Sequence, residues 1–301
     1  MRNPAPVFVP FAGFVAAALA LAACDITIGA AEYSVREEKS FTVNGEAQLA
    51  LSTFDGSIEV RGWDRSEVVV AVEKVGSDQK TVDRIQVKAA QDGNTITVDV
   101  PKPSPLETAG MRRTPSANLV VSVPLRTAVV ARSGDGSISV RRVAGRLDLD
   151  TEDGGIRVEE AEGTLVARTG DGDVIGRKMN GQAEVRTGDG TIGIDGVLTG
   201  VKIETRDGAI EVTARPGSRA DSEWEVTTGD GDVRLEVPKA FSADLDARTG
   251  DGRVRVDSIT DTPEAKANED DQRDSVTGKL GGGGKALRVR TSSGSITVKL
   301  W

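Results

Sequence analysis

Residues 187–194 read TGDGTIGI, which is Thr-Gly-Asp-Gly followed by alternating apolar positions. From residue 133 to residue 205 a phrase of this kind recurs at a constant 18-residue interval, and the later, longer steps fit the same unit with insertions. A short fixed period, on the order of 20 residues, is typical of a solenoid, in which no single unit can bury its apolar face alone. The phrases begin at residues 53, 133, 151, 169, 187, 205, 228, 249 and 291.

Residues 18 positions apart form columns that are either apolar or made of Ser and Thr, and the residues between these columns are mostly polar. Such alternation, kept in register over five units, predicts short strands with one face buried and one in water. We therefore predict an all-β fold, a parallel β-helix or similar β-solenoid with rungs of about 18 residues. The columns are Ile138, Ile156, Val174, Ile192, Ile210; Val129, Leu147, Leu165, Ala183, Val201; Ala131, Leu149, Ala167, Val185, Ile203; and Ser133, Thr151, Thr169, Thr187, Thr205.

The flanking regions are assigned from the same pattern. Residues 41–124 alternate well but have no fixed period, so we expect the first irregular rungs here, with a separate small β-sandwich as the alternative. Residues 125–301 hold the regular repeats, and the unit that begins at Thr291 is expected to close the stack. Residues 261–285 are rich in Gly and charge and lack periodicity, which predicts a disordered insertion.

The start of the chain has a different character. Residues 1–23 contain an apolar run that ends in small side chains, which is typical of a secretory signal peptide. The sole cysteine, Cys24, completes the run LAAC at 21–24, which resembles the lipobox of bacterial lipoproteins. The resemblance implies cleavage before Cys24, lipidation of its thiol and stable anchoring through the acyl chains. Residues 24–40 are then expected to be a tether.

The anchor and the charge limit the partners. The lipobox resemblance implies a lipid-anchored protein of the cell envelope, facing the periplasm or the surface, with the membrane as a partner through Cys24. Asp25, directly after the cysteine, resembles an inner-membrane retention signal of Gram-negative lipoproteins. The net charge of -9 argues against nucleic acid as a partner.

The composition excludes several classes of enzyme. The chain has no histidine and one cysteine, so a Ser-His-Asp triad, an imidazole zinc site and an internal disulfide are all excluded. Aromatic platforms for sugars are scarce, because only 3% of the residues are aromatic. We expect a protein that is not an enzyme and that carries no catalytic residues and no cofactor.

The aspartates of the repeated phrase would lie one above another, and we name this set the Asp ladder. One interpretation is a structural corner, in which Thr hydroxyls satisfy turn amides and the glycines adopt positive φ. The other is a calcium site, because the period of the phrase is twice that of calcium-binding β-rolls. An outward column of arginines that includes Arg168 and Arg186 is expected to neutralise these carboxylates. The Asp ladder is Asp135, Asp153, Asp171, Asp189 and Asp207, with Asp230 and Asp251 expected to continue it.

The motifs resemble those of bacterial envelope proteins called "putative adhesins", a family without an assigned activity. The resemblance lies in FDGSIEVRGWD at 54–64, SVPLRT at 122–127 and the recurring RTGDG that begins at Arg168, Arg186 and Arg248. It implies a β-strand-repeat fold and an anchored, non-catalytic surface that binds an envelope protein or a glycan, or serves as a scaffold. Two alternatives stay open: an envelope stress or regulatory accessory protein that binds a partner, and a polysaccharide-active β-helix enzyme.

Overall fold

The structure is a computed structural model that describes residues 25–29, 32–104, 115–257 and 274–301. It is nearly all-β and solenoid-like, with one short helix in these residues, α1 (Gln79–Asp83). The strands of the N-terminal part are β1 (Asp25–Gly29), β2 (Glu32–Thr42), β3 (Ala47–Thr53), β4 (Ile58–Trp63), β5 (Glu67–Gly76), β6 (Lys88–Asp92), β7 (Thr95–Val100) and β8 (Ser116–Pro124).

The remaining strands belong to the region of regular repeats. They are β9 (Thr127–Ser133), β10 (Ile138–Arg141), β11 (Ala144–Thr151), β12 (Ile156–Glu159), β13 (Glu162–Thr169), β14 (Val174–Thr187), β15 (Ile192–Asp207), β16 (Ile210–Ala214), β17 (Trp224–Asp230), β18 (Val233–Val237), β19 (Ala243–Asp251), β20 (Val254–Val256), β21 (Ser275–Leu280), β22 (Ala286–Ser293) and β23 (Ile296–Leu300).

Each turn of the repeat has one strand segment before it and one after it, and in β14 and β15 a single strand runs from one turn to the next and supplies both segments. We call the strands before the turn the leading sheet and those after it the trailing sheet. In the trailing sheet Ile138 pairs with Ile156, and Ile156 pairs with Val174, all in parallel. In the leading sheet Leu147 pairs with Leu165 in the same way. These are residues of the predicted columns, and their partners lie 18 positions apart in the chain.

The core lies between the two sheets because alternate side chains of the rung strands point inward. In β11, for example, Leu147, Leu149 and Thr151 are buried, whereas Arg146 is exposed. Small and branched side chains fill the interior, and Trp224 and Phe241 form an aromatic pair in it, with ring centroids 4.8 Å apart. Burial of one face of each strand is the main stabilising contribution, since a single rung buries too little by itself.

The N-terminal region extends this stack. The rung of β3 and β4 lies in parallel beside β9 and β10, and the rung of β7 and β8 lies on its other side. Antiparallel strands then cover the outer edges: β6 covers β7, while β5, β2 and β1 follow β8 in turn. The expectation of a tether over 24–40 is therefore wrong from Asp25 to Gly29 and from Glu32 onward. Strand β2 is ordered because it pairs along its length with the edge of β5.

The C-terminal end also departs from the order of the sequence. The rung of β22 and β23 is inserted between that of β17 and β18 and that of β19 and β20. The unit that begins at Thr291 therefore does not close the stack, as predicted, but lies one rung inside it.

The outer edge of β19 is covered by β21, which runs antiparallel to it. Residues 275–280 are thus a strand rather than part of a disordered insertion, because Val276 and Leu280 are buried. The first part of the predicted insertion, up to residue 273, lies outside the described residues.

Candidate functional site

The repeated Thr is a buried hydrogen-bonding corner. In the unit quoted first, the Thr187 hydroxyl donates to the carbonyl of Gly172 in the neighbouring rung at 3.0 Å, and it accepts the N–H of Gly190 at 3.3 Å. Thr151 does the same with Gly136 and Gly154. The interpretation of the phrase as a structural corner is confirmed for the Thr hydroxyls, which join each turn to the next one.

The second glycine of each turn is required by close backbone packing. A Cβ on Gly172 would lie 2.2 Å from the carbonyl oxygen of Gly154, and one on Gly190 would lie 2.1 Å from that of Gly172. Neither Gly172 nor Gly190 lies in the left-handed region of φ. The prediction of positive φ is therefore wrong for these two turns, where the reason for glycine is steric. It is confirmed at the same position of other turns, for example at Gly56 and Gly252.

The Asp ladder lies on the exposed side of these corners, but it is not continuous. Ser293 occupies its position between Asp230 and Asp251, because the rung that contains Ser293 is inserted there. At the other end, Asp55 lies beside Asp135. Partial burial, and secondly the charge of Asp135, raise the pKa of the Asp55 carboxyl above its usual value. Asp55 and Asp135 are therefore close enough to repel.

The outward arginines do not neutralise the Asp ladder, contrary to expectation. Arg168 lies 3.5 Å from Asp148, and Arg186 lies 3.3 Å from both Glu184 and Glu204, so each pairs with carboxylates on the sheet face. The side chains of a strand stand perpendicular to the sheet, and the arginines reach their neighbours on that face before they reach the corner.

Arg206 does contact the Asp ladder. It occupies the first glycine position of its turn, pairs with Asp189 and lies 3.7 Å from Asp207. In the part of the chain that the structure describes, no three acidic or thiol side chains come together to hold a metal ion. The expectation of no metal at the Asp ladder, with calcium as the alternative, stays a prediction.

The anchor lies outside the described residues, since these begin at Asp25. Lipidation of Cys24 therefore stays a prediction. Among the described residues no helix has the length and apolar character that a membrane span requires.

The outer face of the trailing sheet carries two depressions of about 660 and 470 Å³. Both are lined by Asp173 and Ile175, so they adjoin each other, and we call them together the outer groove. The outer groove runs across β10, β12, β14, β15 and β16, perpendicular to the strands. Ile175 and Gly193 pair with each other and form its floor, and Arg157 and Arg177 flank it.

Sequence similarity identifies the family. A model of the Toastrack family, DUF4097, matches residues 47–299, which is most of the chain. The chain belongs to the Toastrack family. No curated protein matches this Toastrack chain.

The Toastrack chain is also similar to solved structures. One is a "putative cell adhesion protein" from Clostridium sporogenes, with 13% identity, a TM-score of 0.31 and coverage of 88% of this chain and 99% of that one. A "putative adhesin" from Bacteroides fragilis has 12% identity, a TM-score of 0.42 and coverage of 88% and 97%. A "putative lipid binding protein" from Parabacteroides distasonis has 11% identity, a TM-score of 0.47 and coverage of 88% and 96%. The expected resemblance to "putative adhesins" of unknown function is confirmed.

Sequence reasoning missed the outer groove of this Toastrack protein. The sequence did contain an indication of it, in one outward-facing column of the repeat. Two successive rungs carry Ile175 and Gly193 in this column, whereas the rungs on either side carry the charged residues Arg157 and Glu211. An apolar residue and a glycine at neighbouring outward positions of a polar column are the pattern that indicates a depression.

Proposed function

We propose that the protein is a lipid-anchored, extracytoplasmic protein whose solenoid is a non-catalytic binding or scaffolding surface. The observation that carries the proposal is the Thr187 hydroxyl, bonded both to its own turn and to the next rung. The most repeated motif of the chain therefore serves the fold, and the outer faces of the sheets are what a partner meets.

We further propose that the solenoid is a parallel β-helix with regular rungs of about 18 residues. The pairing of Ile138 with Ile156 and of Ile156 with Val174 supports this length. Such a stack is rigid, because each rung shares a ladder of hydrogen bonds with both neighbours. It suits a surface that presents fixed groups at a constant spacing.

The anchor explains how the surface is held. Strand β1 begins at Asp25, directly after Cys24, and pairs with β2 at the N-terminal end of the stack. An acylated Cys24 would hold that end against the membrane, with the regular rungs extending away from it. Asp25 supports retention at the inner membrane.

The test is metabolic labelling of the full chain with a radioactive fatty acid in a Gram-negative host. We expect wild-type protein to be labelled and to sediment with membranes, and Cys24→Ser protein to lose both properties while remaining folded. Label retained by Cys24→Ser, or wild-type protein that is unlabelled, would contradict the anchor. Turnover of a glycan by the purified protein would contradict the absence of catalysis.

A further inference from the structure

The outer groove has a floor that the fold does not explain. Gly193 lies in β15, and a Cβ built on it would meet no heavy atom within 4 Å. It is not required by the packing of rungs, unlike Gly172, and it does not adopt positive φ. A glycine inside a strand weakens the strand and often marks a position where a ligand approaches closely. Beside it, Ile175 leaves an aliphatic side chain partly exposed.

Two arginines of the outer groove have no ion pair. Arg157 and Arg177 are exposed, and neither forms a salt bridge with any carboxylate of the described residues. Their neighbours differ: Arg141 lies 2.8 Å from Glu159, and Arg215 lies 2.6 Å from Asp195. In a chain with 47 acidic and 38 basic residues, carboxylates outnumber cations, yet these two guanidinium groups are left free for a ligand.

The two arginines are also close to each other. Arg157 pairs in register with Ile175, and Arg177 pairs with Glu159, so the arginines occupy diagonal positions on one face of the sheet. With strands about 4.8 Å apart and a rise of about 6.6 Å per two residues, diagonal neighbours on a parallel sheet are about 8 Å apart. A guanidinium binds carboxylates with two parallel hydrogen bonds, so this pair suits a ligand that carries acidic groups at intervals.

The surroundings favour a sugar chain over a peptide or a lipid. A peptide that adds as a strand needs a free sheet edge, but β12, β14 and β15 each have paired neighbours on both sides. The walls carry carboxylates and a hydroxyl, from Asp173, Glu211 and Thr213, and these groups suit the hydroxyls of a sugar rather than an acyl chain. Sugar rings offer both an apolar face for Ile175 and hydroxyls for the walls.

We propose that the outer groove binds an acidic oligosaccharide, with its carboxylates on Arg157 and Arg177 and its rings over Ile175 and Gly193. This inference rests on the proposed function of a binding surface and names its ligand class. It assigns no catalytic step. The chain would follow the solenoid axis, so that successive sugars meet successive rungs, about 4.8 Å apart.

The test is calorimetric titration of the full chain, extracted in detergent, with a hexamer of galacturonic acid at low salt. We expect binding of the hexamer, no binding of its fully methyl-esterified form, and a loss of about tenfold or more in affinity for Arg157→Gln combined with Arg177→Gln. Arg255→Gln is the matched control, because Arg255 is an exposed and unpaired arginine on the same face but outside the outer groove. We expect it to bind like wild-type protein.

A second variant separates binding from folding. Gly193→Val has room for its side chain and places a better strand former in β15, so we expect an unchanged or higher unfolding midpoint together with lost binding. Hexamer binding that survives both Gly193→Val and the double arginine variant would overturn the inference, as would equal binding of polyglutamate or a wild-type protein that binds no hexamer. Loss of fatty-acid labelling would instead contradict the anchor, and shortened hexamer products would contradict only the absence of catalysis.

Discussion

The Thr187 hydroxyl donates to the carbonyl of Gly172, 15 residues earlier in the chain and one rung away in space, at a distance of 3.0 Å. Through this one bond a side chain of one turn satisfies the backbone of another. The same oxygen accepts the N–H of Gly190. Substitution of Thr187 by valine would leave both buried backbone groups without this partner.

We expect Thr187→Val to lower the free energy of unfolding by about 1–3 kcal/mol, because valine keeps the shape and strand preference of threonine and removes only the hydroxyl. Urea denaturation followed by circular dichroism measures it. Thr227→Val is the matched control, since Thr227 faces outward in β17, and its effect should stay within about 0.5 kcal/mol. Equal effects of the two substitutions would mean that the buried Thr187 hydroxyl stabilises the fold no more than the outward Thr227 hydroxyl does.

Two glycine substitutions should change the free energy of unfolding in opposite directions. Gly172→Ala would bring a Cβ to 2.2 Å from the carbonyl of Gly154, and relief requires the rungs to move apart. We expect a loss of about 1–3 kcal/mol in the free energy of unfolding. At Gly193 nothing lies within 4 Å of the added Cβ, so Gly193→Ala should gain about 0.5–1 kcal/mol. Thermal unfolding of the two variants and the wild-type protein measures both effects. A Gly172→Ala protein as stable as wild type would show that neighbouring rungs can move apart at little cost in free energy.

The Asp55 carboxyl should make stability depend on pH. Its pKa in the folded protein is raised, chiefly by burial and then by Asp135, above the ordinary pKa of 3.8 that it has in the unfolded chain. The folded state therefore binds this proton more tightly, and the penalty for the charged form is fully present above the raised pKa. It is relieved as the pH falls through that pKa toward 3.8.

Replacement of Asp55 by asparagine should therefore raise the unfolding midpoint at pH 7, and the advantage over wild-type protein should shrink as the pH falls toward 3.8. Differential scanning calorimetry over this range measures it. Asp135→Asn removes the secondary cause only, and it should give a smaller gain of the same sign. A constant difference between Asp55→Asn and wild-type protein at every pH would show that the carboxyl does not titrate differently in the folded state.

Calcium should leave the stability unchanged. The Asp ladder is interrupted by Ser293 near the C-terminal end, and Asp189 is already paired with Arg206. We expect the same unfolding midpoint in millimolar calcium and in chelator. A midpoint many degrees higher with calcium would contradict this expectation and make the repeated aspartates metal ligands.

The regular part of the fold could be predicted because its cause is local. The columns that contain Ile156 and Thr187 recur at a constant interval, and any parallel stack of such units places them in register. The role of Thr187 followed from the need to satisfy turn amides. The reason for Gly172 was misjudged, since a sequence shows that a glycine is present but not which atom lies above it.

The order of the rungs could not be predicted in the same way. The unit at Thr291 has the same inward pattern as the unit at Thr249, so either could be last. Strand β21 decides which rung is terminal, because it pairs with the outer edge of β19 and covers it. The outer groove was missed for a related reason: Ile175 and Gly193 come together only once the register is known. The partners of Arg168 and Arg186 likewise depend on which side chains share a sheet face.

The inserted rung has a consequence for how the protein is made. Strands β19 and β20 pair with β22 and β23, which are translated after them and which lie between them and the rest of the stack. The terminal rung therefore cannot take its final place until the residues of β22 and β23 have been made. A chain that is cut short by one repeat loses an interior rung instead of an end, so a premature stop, proteolysis or loss of the last repeat in evolution cannot simply shorten this solenoid.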